Sequence, residues 1–239
     1  MMTPKSKPPR SKPPSAAAPV NFRTRTGQKR RAQTRAKILS AAFVLFDSNG
    51  VGSVNVEDVR AKAGLARGSF YNYFETYEAM LRDLAAEIAR QLNAEQSERF
   101  DHVSNMAERI WCHVRYSILR AAADRACAEI LVRVTPLVGS LTDHMREHAE
   151  NDMRMSVKSK AIDVPSPAVA LDLGYGLTTM MLKRALDAPM NLKEIEAAGF
   201  MLLRAYGVAT EEARRISRLP LPQLPSVSLR TAVINNFAS

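Results

Sequence analysis

Arg67, Gly68, Ser69, Tyr71, Asn72 and Tyr73 fall within seven consecutive residues, and their side chains suit the surface of a nucleic acid. A guanidinium such as that of Arg67 pairs with a guanine edge or clamps a phosphate, and a carboxamide such as that of Asn72 pairs bidentately with adenine. Ser69 and Tyr71 add hydroxyls on the same side. Gly68 lets the backbone approach a phosphate closely, where free amides at a helix start attract an anion. Tyr73 and the Gly68 amide are thus phosphate ligands, and Asn55, upstream, is a third. A second arrangement with possible chemistry is His144-Met-Arg-Glu-His148, two histidines four apart with a glutamate between, the spacing of inverted zinc proteases. Its surroundings, REHAEND, are so polar that a solvated helix face is the simpler account, and a zinc-dependent hydrolase is the remote alternative.

The elements that must position the first group lie within residues 56–81, VEDVRAKAGLARGSFYNYFETYEAML. Asn55 caps a short helix whose first turn carries Glu57 and Asp58, at the positive end of its dipole. Gly64 stops that helix in the left-handed conformation that glycine adopts cheaply. Leu65 fills the turn. A second short helix, about 67–73, is too short to stand alone and is held by Phe70 and Phe74, four apart on its inner face. Thr76 caps the next helix. Short helix, glycine turn, second short helix is the layout of a helix-turn-helix, whose second helix lies in the DNA major groove.

Residues 34–81 resemble the N-terminal domain of the TetR/AcrR family of bacterial transcriptional regulators. The matching features run in order: ILSAAFVLF (38–46), the Asn49-Gly50 turn, the 56–63 helix, AGLARGSFYNYF (63–74), and Glu78-Ala79 opening the following helix. Two positions depart from the pattern. Ala66 stands where the family has a Ser or Thr cap, and Tyr77 stands where it has a phosphate-binding Lys; the Tyr77 hydroxyl is the substitute donor. The resemblance implies a homodimeric repressor that binds a palindromic operator in double-stranded DNA. It also implies that a small-molecule effector releases the repressor. A regulator controlled by a protein partner or by abundance is the alternative reading.

Charge places the auxiliary contacts. The chain carries a net charge of +10, and residues 1–46 hold 11 basic residues and no acid. Arg23, Arg25, Lys29, Arg30 and Arg31 sit immediately before the helix-turn-helix and are candidates for phosphate contact. Residues 1–27, rich in Pro, Ser and Lys, read as a disordered basic arm; a solvated tail is the competing account. No apolar stretch follows these charges, so a signal peptide is not expected.

The remainder reads as all-α. Apolar residues recur at helical spacing, as in Leu81, Leu84, Ile88 and Leu92, and no period-2 runs occur. The expected organisation is an arm over 1–27, a helix-turn-helix domain over 28–82, a helical effector-binding and dimerisation domain over 83–218, and a Pro-containing tail over 219–239 lying extended on the surface. Helices are expected near 77–100, 103–123, 125–134, 137–160, 168–187, 191–207 and 210–218, with Pro136 separating the third from the fourth. The pair near 168–187 and 191–207 is apolar on several faces, and the resemblance implies a four-helix dimer interface there. Trp111, Tyr116 and Met145 are candidate ligand contacts, with core packing the competing account. Two cysteines, Cys112 and Cys127, are too few and too far apart for a zinc site and read as buried thiols of a cytoplasmic protein. No run of 18 apolar residues exists to cross a membrane. No cofactor, metal or catalytic arrangement is expected, hence no enzyme.

Overall fold

The structure is a computed structural model. It describes the backbone of residues 22–138, 143–220 and 222–238, and the side chains of 27–134, 149–220 and 222–237. The described residues form ten α-helices and two 3-10 turns, with no strand. The basic arm over 1–21, the side chains of Arg23 and Arg25, and those of His144, Met145 and His148 lie outside the described residues.

Helix α1 spans Phe22–Asn49, so it takes in the last six residues expected of the arm. Gly50, at φ 79°, turns the chain into a 3-10 turn at Val51–Ser53, and α2 covers Val56–Lys62. Asn55 caps α2 as its residue type demands. Its Oδ1 accepts from the Glu57 and Asp58 amides at 2.8 and 3.1 Å, while Asp58 Oδ2 accepts the Asn55 amide at 2.9 Å. Gly64 follows at φ 68°, the left-handed stop expected of it. Thr76 then caps α3, Tyr77–Phe100, by accepting the Ala79 amide at 3.0 Å.

The second element of the motif departs from expectation. In place of a helix over 67–73 there is a four-residue 3-10 turn, Ser69–Asn72, preceded by Gly68 at φ 79°. Ala66 has no side-chain oxygen with which to cap a first turn, and a left-handed Gly68 cannot belong to one. Arg67 and Gly68 therefore precede the turn rather than open a helix.

The rest of the chain folds as α4 (Met106–Ala122), α5 (Arg125–Val138), α6 (Asp143–Lys158), α7 (Pro167–Asp187), α8 (Leu192–Ala205) and α9 (Thr210–Ser217). Pro136 does not separate two helices: α5 runs two residues beyond it, because a proline in the last turn forfeits one amide bond where few remain to be lost. Pro167, by contrast, opens α7 at a position where its missing amide costs nothing, with Ser166 as cap.

The tail does not lie extended, and here the structure corrects the sequence reading. Residues Leu229–Ala238 form a tenth helix, α10, packed on α1, α3 and α5. Leu229 and Val233 are fully buried. The backbone amide of Arg230 donates to Asp124 Oδ2 at 3.0 Å and its guanidinium pairs with Asp47 of α1. Asn236 donates to Gln91 of α3 at 3.0 Å. The core falls into two parts. One joins α1, α2, the turn Ser69–Asn72 (the reading turn, from its place in the helix-turn-helix), α3, α5 and α10; the other gathers α4, α7, α8 and α9 around Trp111.

Candidate nucleic-acid interface and effector cavity

Phe70 and Phe74, 1% and 3% exposed with ring centroids 5.6 Å apart, fasten the reading turn to the core. Most of the residues between and just before them face outward. Arg67, Gly68, Tyr71 and Asn72 are exposed, and Ser69 and Tyr73 are partly so. The Tyr71 ring stands edge-on to Phe70 at 5.5 Å, which fixes its direction without covering it. Asn55 is exposed, but its side-chain oxygen is occupied by two amides of α2. All seven of these residues are thus at least partly open to solvent.

Tyr77 is placed differently. Its ring packs edge-on against Phe46 at 6.4 Å, and its hydroxyl donates to the Val51 carbonyl at 3.3 Å. Burial raises its pKa to about 12, so the proton stays on the oxygen and is already committed.

Among the basic residues, Lys29, Arg30 and Arg31 are exposed on α1. Arg31 is engaged with the reading turn itself: its Nη2 donates to the Asn72 carbonyl at 2.8 Å, and its guanidinium lies 5.7 Å from the Tyr73 ring centroid. Arg35, one turn later, lies 5.1 Å from the Phe74 centroid and pairs with Asp83 of α3. The sequence placed Arg31 only among phosphate contacts, since a helix-to-turn contact across 41 residues leaves no local mark.

A cavity of about 800 Å³ opens in the helical domain between α3, α4, α6 and α7. Leu92 and Gln96 of α3, Ile110, His113, Val114 and Ser117 of α4, and Met153 of α6 line it, with Thr178 and Leu182 of α7. Neither Trp111 nor Tyr116 lines it. Trp111 is fully buried against Gly199, where a Cβ would meet its ring at 2.5 Å. The Tyr116 hydroxyl donates to Glu95 Oε2 at 2.6 Å, within a buried network that also pairs Glu95 with Arg120. Burial pushes the Glu95 carboxyl up, but hydrogen bonds from Arg120, Gln91 and Tyr116 outweigh it and hold it below the usual range. The lining positions of α4 form an i, i+4 stripe, Arg109/Ile110, His113/Val114 and Ser117, one face away from the aromatics.

The wall has a definite hydrogen-bond character. Gln96 Nε2 donates to both the His113 carbonyl (2.9 Å) and Ser117 Oγ (2.6 Å), leaving its carbonyl as an acceptor. Thr178 and Thr179 spend their protons on carbonyls of their own helix, each at 2.9 Å. His113 is held toward its neutral form, first by burial and then by Arg109. Among the described residues no group of three metal-ligating side chains occurs, and no helix is long and apolar enough to cross a membrane.

Known proteins supply the last observation. Residues 38–84 match the family described as bacterial regulatory proteins, tetR family, and residues 105–219 match the tetracyclin repressor-like C-terminal domain. No curated protein matches. Among solved structures, RolR in complex with resorcinol is similar at TM-score 0.67 and 22% identity, covering 83% of this chain and 100% of that one. The fatty acid degradation regulator FadR from Bacillus halodurans follows at TM-score 0.54 and 16% identity, covering 71% and 94%. A TetR-family regulator from Pectobacterium atrosepticum has TM-score 0.51 and 19% identity, covering 75% and 92%. With a helix-turn-helix at one end and the matching helical domain behind it, the chain belongs to the TetR family of bacterial transcriptional regulators.

Proposed function

We propose that the protein is a homodimeric repressor whose hold on a palindromic operator is released by a small molecule in the helical domain. The observation that carries this reading is the placement of α3. Its first turn follows the reading turn directly, and its later turns, through Leu92 and Gln96, wall the cavity. A molecule that displaces that wall tilts the reading surface on the same rigid rod. The ligand must favour one tilt, since equal affinity for both shifts nothing.

Two-fold assembly is supported by an apolar stripe without a partner in the single chain. Val169, Leu173 and Met180 of α7 and Met201 of α8 are between 47% and 69% exposed. Paired through that stripe, two reading turns about 34 Å apart would meet successive major grooves. Arg67, Ser69, Tyr71 and Asn72 then address base edges, while Gly68, Tyr73, Asn55, Lys29 and Arg30 hold phosphates. Tyr77 contributes by fastening α3 to the Val51 carbonyl.

The ligand chemistry derives from the wall. Gln96, Thr178 and Thr179 have committed their protons and keep acceptor capacity, Asp101 and Asp152 add carboxylate acceptors, and the larger share of the lined surface is apolar. That combination favours a compact molecule carrying hydroxyl donors on a hydrophobic frame. RolR is a structural neighbour crystallised with such a molecule, resorcinol. The test is to select a preferred duplex from a random pool, then titrate the complex with dihydroxybenzenes and longer phenols. Release by one of them, weakened in Gln96→Leu, supports the reading. Retention of the complex at saturating doses, beside direct evidence of an occupied cavity, contradicts it.

A further inference from the structure

Four residues of 3-10 turn are a poor platform for reading bases. Around Ser69–Asn72 the local backbone bonds are three: the Ser69 amide donates to the Ala66 carbonyl at 3.1 Å, and the Tyr73 and Phe74 amides donate to the Phe70 carbonyl at 2.9 and 3.1 Å. Phe70 and Phe74 anchor the inner side and the Phe70 carbonyl takes the amide of the peptide joining Asn72 to Tyr73, but no local group holds that peptide's carbonyl. Arg31 does so from α1. Its Nη2 takes the Asn72 carbonyl at 2.8 Å while the same guanidinium lies over the Tyr73 ring. It therefore grips the carbonyl and the side chain on the two sides of one peptide plane. Behind it Arg35 repeats the stacking on Phe74 and ties α1 to Asp83 of α3, so the grip stands on a braced helix.

We propose that Arg31 is a positioning residue that sets sequence specificity, by holding the Asn72–Tyr73 peptide so that Asn72 and Tyr71 meet base edges in one geometry. The inference rests on the sequence-specific reading proposed above. It assigns Arg31 a task different from that of its neighbours Lys29 and Arg30, which offer charge alone. A guanidinium can stack its plane on a ring and direct an N–H at a carbonyl together; an ammonium cannot. Charge and positioning can therefore be separated by substitution.

The experiment compares the wild type with Arg31→Lys, Arg31→Gln and Arg30→Gln. Each is measured on the duplex that the wild type selects from a random pool and on single-base-pair variants of it, across a series of salt concentrations. Circular dichroism confirms that each protein folds. The expected result is that Arg31→Lys keeps the salt slope yet loses about tenfold of its discrimination, comparable to one misread base contact. Arg31→Gln loses the same discrimination. Arg30→Gln lowers the slope by about one counterion per subunit and leaves discrimination intact. Full discrimination in Arg31→Lys would overturn the proposal, because charge alone would then suffice, and so would full discrimination in Arg31→Gln. A pool in which the wild type enriches no sequence would overturn it together with the reading on which it rests, an outcome recognisable from the wild type alone.

Discussion

Glu129 of α5 accepts the backbone amide of Val51 through Oε2 at 2.9 Å, while its Oε1 pairs with Arg125 at 2.8 Å. One carboxylate thus joins the helical domain to the corner between α1 and α2. Glu129→Ala leaves that half-buried amide without its acceptor and is expected to cost about 1–3 kcal/mol. Urea unfolding of the pair of proteins measures this. Glu129→Gln, which keeps an oxygen for Val51, should lose less, and equal losses would locate the effect in the Arg125 pair instead.

Packing around the single tryptophan gives a second expectation. A Cβ at Gly199 would sit 2.5 Å from Trp111 Cε2 and Cζ2. Gly199→Ala should destabilise by about 1–3 kcal/mol, as overpacked cores do. It should also shift the tryptophan emission, since the ring must move. Unchanged emission and stability would show that α4 and α8 separate without cost.

His113 makes stability depend on pH in a stated direction. Burial, reinforced by Arg109, lowers its pKa from 6.5, and its Nε2 is buried without a hydrogen-bond partner. Well above pH 6.5 it is neutral folded or unfolded and adds no pH dependence. As the pH falls below 6.5 the unfolded chain takes up a proton that the folded chain refuses, so stability falls until the lowered folded pKa is reached. His113→Gln should flatten that part of the urea-midpoint profile between about pH 5 and 7. A profile parallel to the wild type would assign the pH dependence elsewhere.

The tenth helix can be tested by its own cooperativity. Ten residues cannot persist as an isolated helix, so docking and helix formation are one event. Val233→Asp puts an unpaired charge where Val233 is fully buried and should expel α10 whole. Arg230→Ala should then have no further effect in the Val233→Asp background, although it weakens the wild type. Additive losses in the double variant would mean that α10 stays docked by other contacts.

Assembly has a direct check. Met201→Asp, at the most exposed large apolar residue of the described chain, should convert a dimer to a monomer in light scattering. Helix content should remain unchanged. A wild-type monomer at high concentration would remove the proposed interface.

The motif is readable because each of its signals is local. Asn55, Gly64, Phe70, Phe74 and Thr76 act within four residues, so residue type and spacing suffice. The form of the reading turn is less so, though Ala66 gives notice that its cap is missing. The cavity lining escapes a sequence reading because α4 has two faces, and only tertiary packing decides that Trp111 and Tyr116 face the core while His113 and Ser117 face the void. Helix α10 carries its own signal, with Leu229, Val233 and Phe237 at i, i+4, i+8 and Ser228 accepting the Thr231 amide at 3.1 Å. Pro220, Pro222 and Pro225 obscure it, since they mark the linker and not the helix beyond.

Helix α10 lies beyond residues 38–84 and 105–219, the two stretches that match the family, yet it docks on α1, which leads into the first of them. The two regions are therefore not exchangeable parts. A chimera carrying another member's reading domain would offer Leu229, Val233 and Arg230 a surface they were never fitted to, and would lack Asp47 unless it were grafted too.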